Sequence, residues 1–202
     1  PWVKPEQSML HLVASSVEVT GPAKINEKLP IPQPRRPYFG ERALTDELKV
    51  SWQNYYEDKF VLAFPTPENS ELIVDSDEKA LYYRAPYTSR PNVKPFLPTK
   101  ANYKEGVVSG VIRHDKVVDL TDRLKENGTI EWDVPNGNWT IMRFGTRNNG
   151  AVTRPAPQPG LGFEINKFNA DDFDDHFDQF VGKLLKKVGP RDNSKGGGWT
   201  ML

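Results

Sequence analysis

Ile130-Glu131-Trp132-Asp133-Val134-Pro135-Asn136-Gly137-Asn138-Trp139-Thr140-Ile141-Met142-Arg143-Phe144 is the stretch on which the reading of the whole chain turns. Apolar and charged residues alternate strictly from Ile130 to Val134, the period of a strand with one buried face. Pro135-Asn136-Gly137 follows with the strongest hairpin signal in the chain, since Asn and Gly tolerate the positive backbone angles of tight β-turns. Trp139 to Phe144 supplies the returning strand.

Working outward, the same short-strand grammar recurs. Val107, Val108, Val111 and Ile112 make a strand, His114-Asp115-Lys116 a turn, and Val117 to Leu120 its partner, with one helical turn over Leu120 to Leu124 before Asn127-Gly128. Lys59 to Phe64 is a continuous apolar run closed by Pro65-Thr66-Pro67, as expected of a central strand buried on both faces. Leu72 to Val74 and Ala80 to Arg84 are shorter strand-like pieces. Pro5 to Met9 opens with a helical turn, His11 to Val19 reads as a strand ended by Gly21-Pro22, and Gly162 to Ile165 as a last strand. Residues 28–38 carry prolines at 30, 32, 34 and 37 and form an extended surface loop with polyproline character. Residues 85–104 and 147–160 are further irregular connections. Between Glu41 and Lys59, Leu44, Leu48 and Trp52 fit a short helix, whereas Trp52, Tyr55 and Tyr56 equally suit a strand. Short strands punctuated by turns argue for a mainly β fold: an antiparallel β-sandwich or jelly roll with Pro-rich loops.

One segment has a different period. Phe173, Phe177, Val181, Leu184 and Val188 form a single apolar stripe of an amphipathic helix of about 18 residues on the periodicity and capping rules. Asn169 stands at its N-cap, Asp171, Asp172, Asp174 and Asp175 crowd its positive end, Lys183, Lys186 and Lys187 its negative end, and Gly189-Pro190 stops it. Its stripe is expected to dock on a sheet or on a neighbouring barrel. The organisation expected is therefore 1–168 as a β-sandwich with long loops and 169–202 as a helix and strand leading out of it.

Composition narrows the function. The 202 residues hold 27 Lys+Arg against 27 Asp+Glu, so no general charge draws the chain to nucleic acid or to anionic membranes, and neither partner is expected. With no Cys there is no disulfide framework, cysteine-based zinc site or thiol nucleophile. No run approaches the roughly 20 apolar residues of a membrane span, and no signal peptide is seen at Pro1. The apolar ends, Pro1-Trp2-Val3 and Gly196-Gly197-Gly198-Trp199-Thr200-Met201-Leu202, are expected to continue into something larger.

Site chemistry is sparse. His11, His114 and His176 have no partner at metal-ligand spacing. The run Asp171 to Asp175 lacks the glycine and the closing glutamate of a calcium loop, and compensation of the helix terminus accounts for it. Gly160-Leu161-Gly162 and Gly196 to Gly198 lack the strand–turn–helix setting of a phosphate loop. Trp2, Trp52, Tyr55, Tyr56, Trp132, Trp139 and Trp199 offer flat apolar faces for sugar rings or for the core. Trp132 and Trp139 are read as core or sheet packing, and Trp2 and Trp199 as candidates for a site completed elsewhere.

Several separated motifs, in order, resemble one family. Trp2-Val3-Lys4-Pro5-Glu6-Gln7-Ser8-Met9, Phe60 to Pro65, Asp119-Leu120-Thr121, Gly128, Trp132, Pro135-Asn136-Gly137, Trp139 to Gly145 and Gly162-Phe163-Glu164-Ile165-Asn166-Lys167 resemble glycoside hydrolase family 106, the α-L-rhamnosidases. The resemblance implies a large, secreted or periplasmic bacterial enzyme of polysaccharide degradation, built on a (β/α)8 barrel with β-sandwich modules. It also implies inverting hydrolysis, calcium dependence of the full-length enzyme, and a rhamnose-containing glycan as partner. The segment would be an insert that leaves and re-enters the barrel. The catalytic acid and base are expected beyond Leu202, leaving no catalytic residue and no cofactor within the segment, and the resemblance assigns no metal ligand here. Trp2 and Glu6 match a post-strand motif and Glu164 an acidic position, so these three are the expected substrate-binding residues, while Asn166 stands where an Asp is expected. The other reading is a structural or weakly carbohydrate-binding β-sandwich module. Self-association through the barrel-facing surface is the remaining expectation.

Overall fold

A computed structural model describes residues 3–68, 112–154, 156 and 160–189. Among the described residues the sheet has four strands in the order β1-β4-β2-β3, with β1 Leu10–Lys28, β2 Glu57–Pro65, β3 Val118–Asp119 and β4 Thr129–Asn148. The fold is mainly antiparallel β with a C-terminal helix, as the patterning requires. The pieces expected at 72–74, 80–84, 85–104 and 107–111 lie outside the described residues.

β4 contains the decisive stretch, and the hairpin takes an unusual form. The strand assignment runs without interruption through Pro135-Asn136-Gly137-Asn138. Yet the rings of Trp132 and Trp139 meet edge-to-face with centroids 5.3 Å apart, whereas seven residues of straight strand would span roughly 23 Å. The chain therefore doubles back inside one strand. Four consecutive exposed residues, 135–138, mark the bend, and burial alternates on either arm: Ile130, Trp132 and Val134 before it, Trp139, Ile141 and Arg143 after it. Gly137 adopts φ +106°, a backbone angle that L side chains rarely take.

β1 corrects the expectation of a strand ending at Gly21-Pro22, because it continues to Lys28. As an edge strand it can carry a proline whose missing N–H breaks no interior ladder. Gly21 is needed for closeness: a Cβ there would stand 1.9 Å from the Pro135 carbonyl oxygen. β2 corrects a second expectation. Val61 and Ala63 are fully buried, but Phe60 is 53% exposed, so the strand buries one face where two were expected. β3 pairs with it antiparallel, Leu62 opposite Asp119 and Ala63 opposite Val118.

By internal packing the chain divides into two units. One comprises residues 14–33 and 58–145. Its core gathers Leu29, Val61, Ala63, Leu120, Ile130, Trp132, Val134, Trp139 and Ile141, so the expected packing role of both tryptophans is met. The Pro-rich stretch is irregular, but it is not wholly superficial, since Leu29 and Pro32 are fully buried.

The other unit comprises residues 1–13, 34–57 and 146–202. Here the ambiguous segment resolves into helix α1, Asp46–Asn54. The Thr45 side chain accepts from the Leu48 N–H, and Asp46 and Glu47 occupy the positive end. Leu44, Leu48 and Trp52 fall on one face and pack with Val152 and Phe163. The strand expected at 162–165 is reduced to two antiparallel bridges, Ser8 with Ile165 and Val152 with Phe163. The C-terminal helix forms as expected, with Asn169 accepting from the Asp172 N–H at 3.2 Å and Gly189 closing it at φ +70°. A π turn over Asp178–Gly182 interrupts it between α2, Ala170–Phe177, and α3, Lys183–Val188. The extra residue per turn rotates the second half of the stripe relative to the first, and Phe173, Phe180, Leu184 and Val188 remain largely exposed.

Candidate functional site

The unit of residues 1–13, 34–57 and 146–202 brings two of the expected site residues onto neighbouring segments. Pro5–Gln7 forms a 3-10 turn with Pro at its first position, and the Lys4 N–H donates to Gln7 Oε1 at 3.3 Å. Beyond it the backbone enters an antiparallel weave: Met9 N–H donates to the Glu164 carbonyl at 3.0 Å, Asn166 N–H to the Gln7 carbonyl at 2.8 Å, and Asn149 N–H to the Met9 carbonyl at 2.9 Å. Glu164 thus sits on backbone paired with Gln7 to Met9, and Glu6 in the turn just before that pairing, but their side chains have different partners. Glu164, partly buried, is matched by Lys167 Nζ at 2.8 Å. Glu6 is exposed and acts electrostatically on the Tyr55 phenol. Trp2 lies outside the described residues. Asn166 spends its side chain locally, Oδ1 accepting from the Phe168 N–H at 3.2 Å, an Asx-type turn in which an Asp would serve equally.

Tyr55, read from the sequence only as a flat aromatic face, stands here among polar partners that sequence reasoning missed. It caps the C-terminus of α1, and its hydroxyl donates to Glu57 Oε2 at 3.3 Å. Burial pushes the phenol above its ordinary value, and the Glu57 carboxylate, then Glu6, push in the same direction because ionisation would place a third negative charge beside two carboxylates. The Thr146 hydroxyl works weakly the other way, although its buried Oγ1 completes no hydrogen bond of good geometry among the described residues.

Arg147 holds this segment in place. Its side chain is buried, and Nη1 donates to the carbonyls of Gln53 at 2.8 Å and Tyr55 at 3.2 Å. Those carbonyls belong to the negative end of α1, so a guanidinium there satisfies orphan acceptors and the helix dipole together. Its carbon lies 5.1 Å from the centroid of the Tyr56 ring, a cation–π contact. Burial lowers the Arg147 value, but a guanidinium stays charged. Tyr55, Tyr56 and Glu57 are therefore presented by a fixed helix terminus. The Tyr55-Tyr56 pair was visible in the sequence; Arg147 was not, because its partners lie more than ninety positions away.

The arrangement offers a neutral phenol that donates to a carboxylate, with a second carboxylate nearby: polar recognition of hydroxyl groups rather than proton abstraction. Among the described residues no group of three or more His, Cys, Asp or Glu side chains could hold a metal ion. Asp175 illustrates why the acidic run fails as a cradle, since its Oδ2 accepts from Gln7 Nε2 at 3.0 Å. Calcium does not fit these residues.

The fold and motif order agree with the comparisons. A family model described as alpha-L-rhamnosidase matches residues 1–202. The chain belongs to glycoside hydrolase family 106. A protein of Formosa agariphila named "Putative beta-glucuronidase" is 32% identical over 189 residues, which are 94% of this chain and 14% of that protein. The solved structure of a rhamnosidase from Novosphingobium sp. PP1Y matches with a TM-score of 0.63 at 20% identity, over 94% of this chain and 28% of that one. At that identity the match speaks for the fold. This family 106 chain spans a small share of either relative's length.

Proposed function

We propose that this chain is a structural and substrate-contacting segment of a rhamnoside-cleaving glycoside hydrolase, without turnover of its own. The observation that carries the reading is electrostatic. Inverting hydrolysis needs a carboxylic acid held protonated near neutrality, with a pKa displaced upward. Among the described residues, Glu47, Asp115, Asp119 and Glu131 are the carboxyl groups displaced from their ordinary values, and all four are displaced downward by hydrogen bonds that favour the anion. The catalytic pair is assigned to the remainder of a longer polypeptide, and Glu6 and Glu164, on their neighbouring segments, to one wall of its site. Calcium, if the whole enzyme uses it, is assigned there too. A secreted or periplasmic location suits a glycan-degrading enzyme, and no helix among the described residues is long and apolar enough to cross a membrane.

The test is direct. Incubation of the 202-residue chain with aryl α-L-rhamnoside or aryl β-D-glucuronide, with and without calcium, is expected to release no phenol above the buffer rate. Turnover that disappears in Glu57→Gln or Glu164→Gln would overturn the reading.

A further inference from the structure

The bend inside β4 builds a second feature, within the unit of residues 14–33 and 58–145. Asn136 and Asn138 on the bend, with Pro65, Thr66 and Glu68 at the end of β2, line a groove of about 340 Å³ closed on one side by Trp139. That volume lies at the small end of ligand sites and accommodates one or two sugar rings.

Its polar groups are oriented, and several remain available. Thr66 N–H donates to the Asn138 carbonyl at 2.8 Å, and the Thr66 hydroxyl is bonded to that of Thr140 at 2.9 Å, so the end of β2 is fixed against the bend. Thr20 Oγ1 donates to Asn138 Oδ1 at 2.9 Å, which sets the amide orientation and leaves both Nδ2 hydrogens pointing away from that bond. Among the described residues the Asn136 side chain makes no hydrogen bond and Glu68 no ion pair. Trp139 is locked edge-to-face on Trp132, so the part of it that reaches the groove is rigid. Among the described residues a Cβ on Gly137 would meet nothing within 4 Å, so none of them closes the approach over the bend.

Carboxamides offering both donors and acceptors, a carboxylate acceptor, and apolar Pro65 and Trp139 surface match the alternating hydroxyl and C–H faces of a saccharide. Among the described residues the lining has one carboxylate and no cationic side chain, which disfavours uronic acids and phosphates. We infer that this groove is a binding subsite for a neutral saccharide, with Asn136, Asn138 and Glu68 reading hydroxyl groups. The inference goes beyond the function proposed above and stands without it, since binding here requires no turnover.

A ¹H–¹⁵N NMR titration of the 202-residue chain with L-rhamnose, D-galactose, D-glucose and D-glucuronate tests it. At least one neutral sugar is expected to give saturable shifts confined to the Asn136 and Asn138 side-chain amides and the Trp139 indole N–H, with D-glucuronate giving none. The exposed double variant Asn136→Ala, Glu68→Gln should keep the remaining spectrum and weaken that binding at least about fivefold, the loss expected for a hydrogen bond to a sugar hydroxyl. No shift with any neutral sugar, equal shifts with D-glucuronate, or unchanged affinity in the double variant would each overturn the assignment.

Discussion

The Arg143 guanidinium meets the Asp58 carboxylate through two hydrogen bonds of 2.7 Å, Nε to Oδ1 and Nη2 to Oδ2, while Nη1 donates to the Leu29 carbonyl at 2.8 Å. The arginine side chain is only 5% exposed and occupies an inward position of β4 in the row that also holds Trp139 and Ile141. A charge at such a position is tolerated because three of its donors have acceptors, and one of those acceptors belongs to the irregular segment that follows β1. The contact therefore joins β2, β4 and the start of the Pro-rich stretch within one unit.

Removing the carboxylate should expose the dependence. Asp58→Ala takes two hydrogen bonds and the counter-charge from a buried guanidinium, and a loss of about 2 kcal/mol is expected, below the usual cost of orphaning a buried charge because Asp58 is itself partly solvated. Arg143→Met, which removes the charge and keeps much of the stem, should cost less than Asp58→Ala. Urea unfolding midpoints of the two variants decide the order; the reverse ranking would mean that the pair contributes little beyond packing.

Two glycines of the bend should behave oppositely to substitution. Gly21→Ala places a methyl 1.9 Å from the Pro135 carbonyl oxygen and 2.7 Å from that of Val134, both backbone atoms that cannot step aside without opening the bend. Its loss should exceed about 3 kcal/mol, in the range reserved for severe steric conflict. Gly137→Ala meets nothing within 4 Å among the described residues and there carries only the strain of φ +106°, about 1–2 kcal/mol. Thermal unfolding of both variants separates the mechanisms, since equal shifts would remove the case for close backbone approach at Gly21.

How much of this was legible in the sequence depends on the range of the interaction. The C-terminal helix was readable because its caps, charge gradient and stripe are all local, and Asn169 and Gly189 act as their residue types predict. The reversal at Pro135-Asn136-Gly137 was readable for the same reason. That the strand ladder would continue through it, and that β1 would pass Gly21-Pro22, was not, because both follow from the approach of two backbones more than a hundred positions apart. Phe60 misled in another way: a continuous apolar run promises two buried faces, but the number of layers covering a strand is a tertiary property. In the candidate site, Glu6 and Glu164 came from motif positions; Glu164 lies on backbone paired with Gln7 to Met9, and Glu6 in the turn that precedes it. Tyr55, Glu57 and Arg147 are defined by a helix end meeting a distant strand, a relationship no spacing rule contains.

The Tyr55 phenol provides a spectroscopic test of that site. Burial, then the charges of Glu57 and Glu6, hold it protonated above the ordinary tyrosine value of about 10. The sign follows from linkage: between the ordinary value and the raised one, the folded protein keeps a proton that the unfolded chain has released, so this contribution is intact below pH 10 and lost as pH rises through the folded value. Tyrosinate absorbance of the chain minus that of Tyr55→Phe should show one group titrating above the ordinary tyrosine value. Glu57→Gln should bring that group part of the way back, since burial remains while one charge is gone. Thr146→Val should move it further up and leave stability nearly unchanged, because the hydroxyl removed has no well-formed hydrogen bond to lose. A Tyr55 titration at the ordinary value, or one indifferent to Glu57, would mean that the phenol and the carboxylates do not share the site described for them.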